Sequence, residues 1–94
     1  MSFQSRVKNT IIGNALEYRR KSLNLSRAEL AERISLQSPQ YIANWERGQC
    51  LPPKKKLKVL AEVLGMSKKE IVKLYTRATK VALEEYLDSI SEIE

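Results

Sequence analysis

Two four-residue signatures, Ser26-Arg27-Ala28-Glu29 and Ser67-Lys68-Lys69-Glu70, constrain this chain more than any other feature in it. In each, the serine hydroxyl can accept from the amide three residues on, while the glutamate reaches back to the serine amide. That reciprocal pair satisfies two of the donors a helix leaves orphaned at its start. Apolar residues at helical spacing follow both signatures. No stretch sustains an alternation of apolar and polar residues, and no Asn-Gly or Asp-Gly pair is present to turn a hairpin. The chain reads as all-α.

The remaining punctuation separates the helices. Ile12, Leu16, Arg19 and Leu23 share one stripe with Ala15, which predicts a first helix over 9–22, broken near Asn24. A second, over 27–34, has Ala28, Leu30, Ala31 and Ile34 available for burial. Ser35-Leu36-Gln37 is a short connection. Ser38 as N-cap and Pro39 at the first helical position, where the missing N–H costs nothing, open a third helix. It reaches Arg47 and stops at Gly48, a residue suited to the left-handed cap. Pro52 and Pro53 mark a loop. A fourth helix over 54–64 carries Leu57, Leu60, Ala61 and Leu64 and stops at Gly65, so all three glycines are expected at helix ends. From Ser67 onward there is no Gly or Pro, and a last helix reaching residue 91 would be about 36 Å long.

Composition narrows the function. With 94 residues, 43% of them apolar, the chain can build one core. There is no histidine and a single cysteine, Cys50. Zinc sites of the His/Cys kind and His-dependent catalysis therefore lack their parts, and no enzyme, metal or cofactor is expected. One cysteine forms no internal disulfide, which suits the reducing cytoplasm. No apolar run is long enough to span a bilayer, and the first residues lack the block of a signal peptide. Charge is unevenly placed. Residues 1–83 hold all seventeen Lys/Arg against six Glu, a balance of +11, whereas residues 84–94 hold five acids and no base. A body this basic suits a nucleic-acid or other anionic partner, or is simply a solvated basic surface.

The second and third helices, joined by a short turn, make a helix-turn-helix candidate. At 100° per residue, Gln40, Ala43, Asn44 and Arg47 fall within one arc of roughly 100° on the third helix. Ile42, Trp45 and Glu46 lie on the other side, with Tyr41 at the edge. A solvated face usually carries Glu and Lys. One carrying Gln, Ala, Asn and Arg suits base edges, since Gln or Asn pairs bidentately with adenine and Ala meets a thymine methyl.

SRAELAERI, SPQYIANWERG, Pro52 and LAEVLGMS together resemble the phage-repressor/Cro-type helix-turn-helix family, also called XRE, over roughly Ile12 to Leu74. The resemblance implies a five-helix repressor-like DNA-binding domain whose third helix enters the major groove of double-stranded DNA. Two copies on a dyad would then read a pseudo-palindrome with half-sites one turn apart. By position it makes Ser38, Gln40, Ala43 and Asn44 base contacts, Arg27 a phosphate contact, and Arg20 with Glu46 a buried ion pair. The chain departs from the family in three places. Ser35 stands at the usual turn glycine, Pro39 occupies a position that often carries a reading side chain, and Arg27 replaces a common glutamine.

Other residues have two readings. Tyr41 packs its ring or reaches a phosphate with its hydroxyl. Arg47 contacts DNA or sits near the carbonyl end of its helix, where a cation is favoured. Lys54 and Lys55 lie at the positive end of a helix dipole, a poor place for cations unless phosphate is near. Cys50 is a loop residue or a redox-sensitive one.

On the last helix, Ile71, Tyr75, Ala78, Ala82 and Tyr86 form one stripe, while Val72, Leu83, Leu87 and Ile90 lie around a second side. The surplus predicts a homodimer through Val72, Leu83, Tyr86, Leu87 and Ile90; the alternative is a helix folded back on its own domain. The division is 9–75 as DNA-binding domain and 76–94 as a helical extension with an acidic tip. The expected function is a homodimeric transcriptional regulator, a repressor or autoregulator. An antitoxin, or a protein-interaction module using the motif as scaffold, is the alternative and would bring a protein partner.

Overall fold

The computed structural model describes the backbone of residues 3–91 and the side chains of residues 6–90. Five helices follow one another: α1 (Phe3–Ser22), α2 (Arg27–Arg33), α3 (Gln40–Glu46), α4 (Lys54–Val63) and α5 (Lys68–Ser91). The described residues contain no strand, and no helix among them is long and apolar enough to cross a membrane.

Both capping boxes form. Glu29 N donates to Ser26 Oγ at 3.0 Å and Ser26 N donates to Glu29 Oε1 at 2.9 Å. The same bonds at Ser67 and Glu70 measure 3.1 and 3.0 Å. Because each carboxylate accepts a backbone N–H, Glu29 and Glu70 titrate below the usual glutamate range. At α3, Pro39 already has helical angles (φ −66°, ψ −12°). The amide of Gln40 donates to Ser38 Oγ at 3.1 Å, so the serine caps from just ahead of the proline.

Four helices end by one device. The residue after the last turn takes positive φ: Asn24 (57°), Ser35 (58°), Gly48 (76°) and Gly65 (66°). In each case its amide and the next fold back onto carbonyls of the last turn, as in Ser35 N to Glu32 O (3.2 Å) and Leu36 N to Ala31 O (2.8 Å). Cations from elsewhere close two of these ends. Arg19 donates to Leu64 O at 2.8 Å and Gly65 O at 2.7 Å, and Lys56 donates to Ile34 O at 2.8 Å.

The core joins all five helices: Ile12 and Leu16 of α1, Leu30, Ala31 and Ile34 at α2, Ile42 and Trp45 of α3, Leu60 and Leu64 at α4, and Ala78 of α5. Each full aliphatic burial contributes about 1.5–3 kcal/mol. Two expected core members, Ala28 and Leu23, are exposed.

Two expectations need correction. The first helix begins at Phe3, not residue 9, and Gly13 lies inside it, as it would in a helix over 9–22, and not at an end. A Cβ there would run into the carbonyl oxygen of Trp45 and lie 2.8 Å from that of Glu46. The glycine is where α1 and α3 touch backbone to backbone. The last helix, α5, runs unbroken across residues 75 and 76 and packs along α1 with Ala78 and Ala82 buried. Of the acidic tip, Glu92 and Glu94 lie outside the described residues.

Candidate nucleic-acid interface

The short helix α3 is gripped from behind. Ile42, Trp45 and Glu46 are buried, while Gln40, Tyr41 and Arg47 are exposed and Asn44 is half-buried. On the open face Gln40 Nε2 donates to Asn44 Oδ1 at 3.0 Å. The spacing of four residues stacks the two amides one turn apart and holds them in a common orientation. Each retains N–H donors, and Gln40 retains its carbonyl oxygen, so the pair presents donors and acceptors outward.

Ala43 is a correction. The residue is 5% exposed, although it belongs to the outward arc by angle. It lies at the edge of that arc nearest Glu46, on the side where α2 packs. There it lines a recess with Arg27, Ala28, Pro39, Gln40 and Arg47. Its methyl lies low among longer neighbours instead of standing out with Gln40 and Asn44. The helical wheel gave its angle but could not register the neighbouring helix.

Behind α3 lies a charge cluster. The Glu46 side chain is 2% exposed and accepts three bonds. Arg20 Nε reaches Oε2 at 2.6 Å, Arg20 Nη2 reaches Oε1 at 3.0 Å, and Arg27 Nε reaches Oε1 at 2.8 Å. Arg20 also donates from Nη1 to Leu25 O at 2.8 Å. The hydrogen bond to Glu46 raises the Arg20 pKa further above its ordinary value, outweighing burial. Glu17 lies 3.6 Å from Arg27 and 3.3 Å from Lys21. One carboxylate on α3 is thus tied to an arginine on α1 and another on α2, which fixes how far α3 stands out from the body.

The second arginine was not legible beforehand. Arg27 reads in the sequence as a free cation for phosphate; here its Nε–H is committed to Glu46 and its side chain is one-third exposed. Its position at the start of a helix packed against α3 was the available signal. Lys56 is similar: it belongs to the lysine run by sequence but holds the end of α2. Lys54 and Lys55 stay exposed at the start of α4. Tyr41 lies between Gln40 and Asn44 in sequence, and Arg47 follows three residues after Asn44; both are exposed. Cys50 is a free, exposed thiol.

Away from this face, Val72, Leu83, Tyr86 and Leu87 of α5 are exposed and Ile90 is half-buried. No group of side chains among the described residues is arranged to hold a metal ion.

A family model described as helix-turn-helix matches residues 16–71, which contain α2, α3, α4 and their turns. The chain belongs to the helix-turn-helix family of phage-repressor and Cro type. Over 60 residues, 64% of its length, it is 38% identical to the HTH-type transcriptional regulator DicA of Escherichia coli (strain K12). The match spans 44% of that protein. Its fold is similar to that of the clp gene regulator ClgR from Corynebacterium glutamicum, with a TM-score of 0.66 at 22% identity. That similarity covers 95% of this chain and 92% of the other, so it includes the long α5.

Proposed function

We propose that this chain is a sequence-specific DNA-binding transcriptional regulator, a repressor or autoregulator that reads a pseudo-palindromic site as a homodimer. The observation carrying this reading is the outward Gln40–Asn44 amide pair on a helix whose opposite side is locked to the body by Glu46. A reading helix must be held at a defined height and angle, because direct readout works only when amide and base edge meet in plane. The kinship with a protein named as a transcriptional regulator points the same way.

In this reading α3 lies in the major groove. Gln40 and Asn44 read base edges, and Ser38, whose oxygen already caps the helix, donates its hydroxyl hydrogen to a phosphate or base acceptor. Arg47, Tyr41, Lys54 and Lys55 grip phosphates. Arg27 gives Nε to Glu46 and has Nη2 3.6 Å from Glu17, which leaves Nη1 for the backbone of the duplex. Phosphate contacts supply affinity and its salt dependence, while base contacts supply discrimination, about 1–3 kcal/mol per good bidentate pair. Ala43 is left out of the contact set because it is buried.

Selection of bound duplexes from a random library tests the proposal. The expected result is enrichment of two inverted half-sites one helical turn apart. Uniform, unselective binding in the range of roughly 10⁻⁴–10⁻⁶ M would contradict it.

A further inference from the structure

We infer that α5 is a self-docking helix that pairs with α5 of a second copy in antiparallel orientation, with the dyad beside Thr79. The inference rests on the dimer reading above and adds its face, direction and register.

The face comes from burial. At 100° per residue, Val72, Thr76, Thr79, Leu83, Leu87 and Ile90 fall within a stripe about 80° wide. All but Ile90 are exposed. The buried Ala78 and Ala82 point away from it, toward α1. Toward its beginning the stripe opens into an apolar groove between α4 and α5, lined by Leu57, Ala61, Ile71 and Val72 and bordered by Lys54, Lys58 and Lys68.

The direction comes from charge. Up to residue 80 α5 carries Lys68, Lys69, Lys73, Arg77 and Lys80 against Glu70 alone, whereas beyond it come Glu84, Glu85 and Asp88 with no base. Parallel pairing would set lysines beside lysines and acids beside acids. Antiparallel pairing sets the basic half of each copy against the acidic half of the other. A two-fold axis then requires that if position i meets position j, j also meets i.

The register follows from the stripe. A dyad beside Thr79 brings Val72 of one copy against Leu87 of the other, and Thr76 against Leu83. Lys73 then lies alongside Glu84, and the end bearing Ile90 reaches the lysine-bordered groove. One contact is unfavourable: Lys80 comes near its own copy beside the dyad.

The test uses the full chain with Cys50→Ser as background and a short bifunctional thiol reagent. Thr79→Cys is expected to cross-link to itself. Val72→Cys and Leu87→Cys are expected to cross-link only when mixed. In sedimentation, Lys73→Glu should weaken the dimer by about tenfold, and adding Glu84→Lys in the same chain should recover most of the loss. Self-cross-linking of Val72→Cys or Leu87→Cys would overturn the antiparallel arrangement. A stable dimer with no cross-link at any of these positions would overturn the face while leaving the dimer standing. A chain that stays monomeric at about 100 μM, far above the micromolar range of even modest interfaces, would overturn both.

Discussion

Replacing Glu46 by glutamine removes one charge and almost no volume, so its effect isolates the electrostatic anchor of α3. The carboxylate is 2% exposed and accepts three N–H bonds, two from Arg20 and one from Arg27. A glutamine offers a single acceptor oxygen and turns an NH2 toward a guanidinium. Arg20, with a side chain 8% exposed, would keep its charge in a site without a buried counter-charge. Removing one member of a buried pair costs about 3–5 kcal/mol. Glu17 at 3.9 Å and the carbonyl of Leu25 still face Arg20, which favours the lower end, about 3 kcal/mol. For a domain whose whole stability is about 5–14 kcal/mol, that is a large fraction. At about 4–8 °C per kcal/mol it lowers the midpoint by roughly 12–24 °C. Thermal and urea unfolding followed by circular dichroism at neutral pH measures it. Arg27→Ala removes the outer partner, one-third exposed and screened by solvent, and is expected to cost less than about 1 kcal/mol. A loss below about 1 kcal/mol for Glu46→Gln, or an equal loss for both variants, would refute the assignment of Arg20–Glu46 as the anchor.

Three further outcomes follow from particular contacts. Ser35→Gly relieves a left-handed backbone with a side chain on it, and the urea midpoint should rise by the equivalent of about 0.5–1 kcal/mol. Gly13→Ala would help an exposed helix by about 1 kcal/mol. Here it should destabilise by about 1–3 kcal/mol, because the new methyl meets backbone carbonyls of α3; a gain in melting temperature would refute the close contact. Replacing Lys54 and Lys55 together by glutamine should weaken binding to every duplex and flatten the log–log salt slope by about two units per bound copy. An unchanged slope would remove them from the interface.

What the sequence made legible, and what it hid, divides along the line between local and tertiary causes. The capping boxes at Ser26 and Ser67 were readable because their partners lie three residues apart. Gly48 and Gly65 were readable because a positive φ after a helix asks for glycine. Ser35 takes the same conformation and could not be told from an ordinary serine by its identity. Ile42, Trp45 and Glu46 were placed inward by the period of α3 alone, and the partner of Glu46 on α1 came from family resemblance. The roles of Gly13, Lys56, Arg27 and Ala43 stayed hidden for one shared reason. What each does depends on an element brought to it by packing: α3 against Gly13, the end of α2 above Lys56, Glu46 beside Arg27, and α2 over Ala43.

The claim on which the functional reading stands is that Gln40 and Asn44 meet base edges. The direct measurement is the duplex selection repeated with Gln40→Ala. The account predicts that one base pair in each half-site loses its preference, symmetrically about the dyad, while the other positions keep theirs. An identical consensus from both proteins would contradict it.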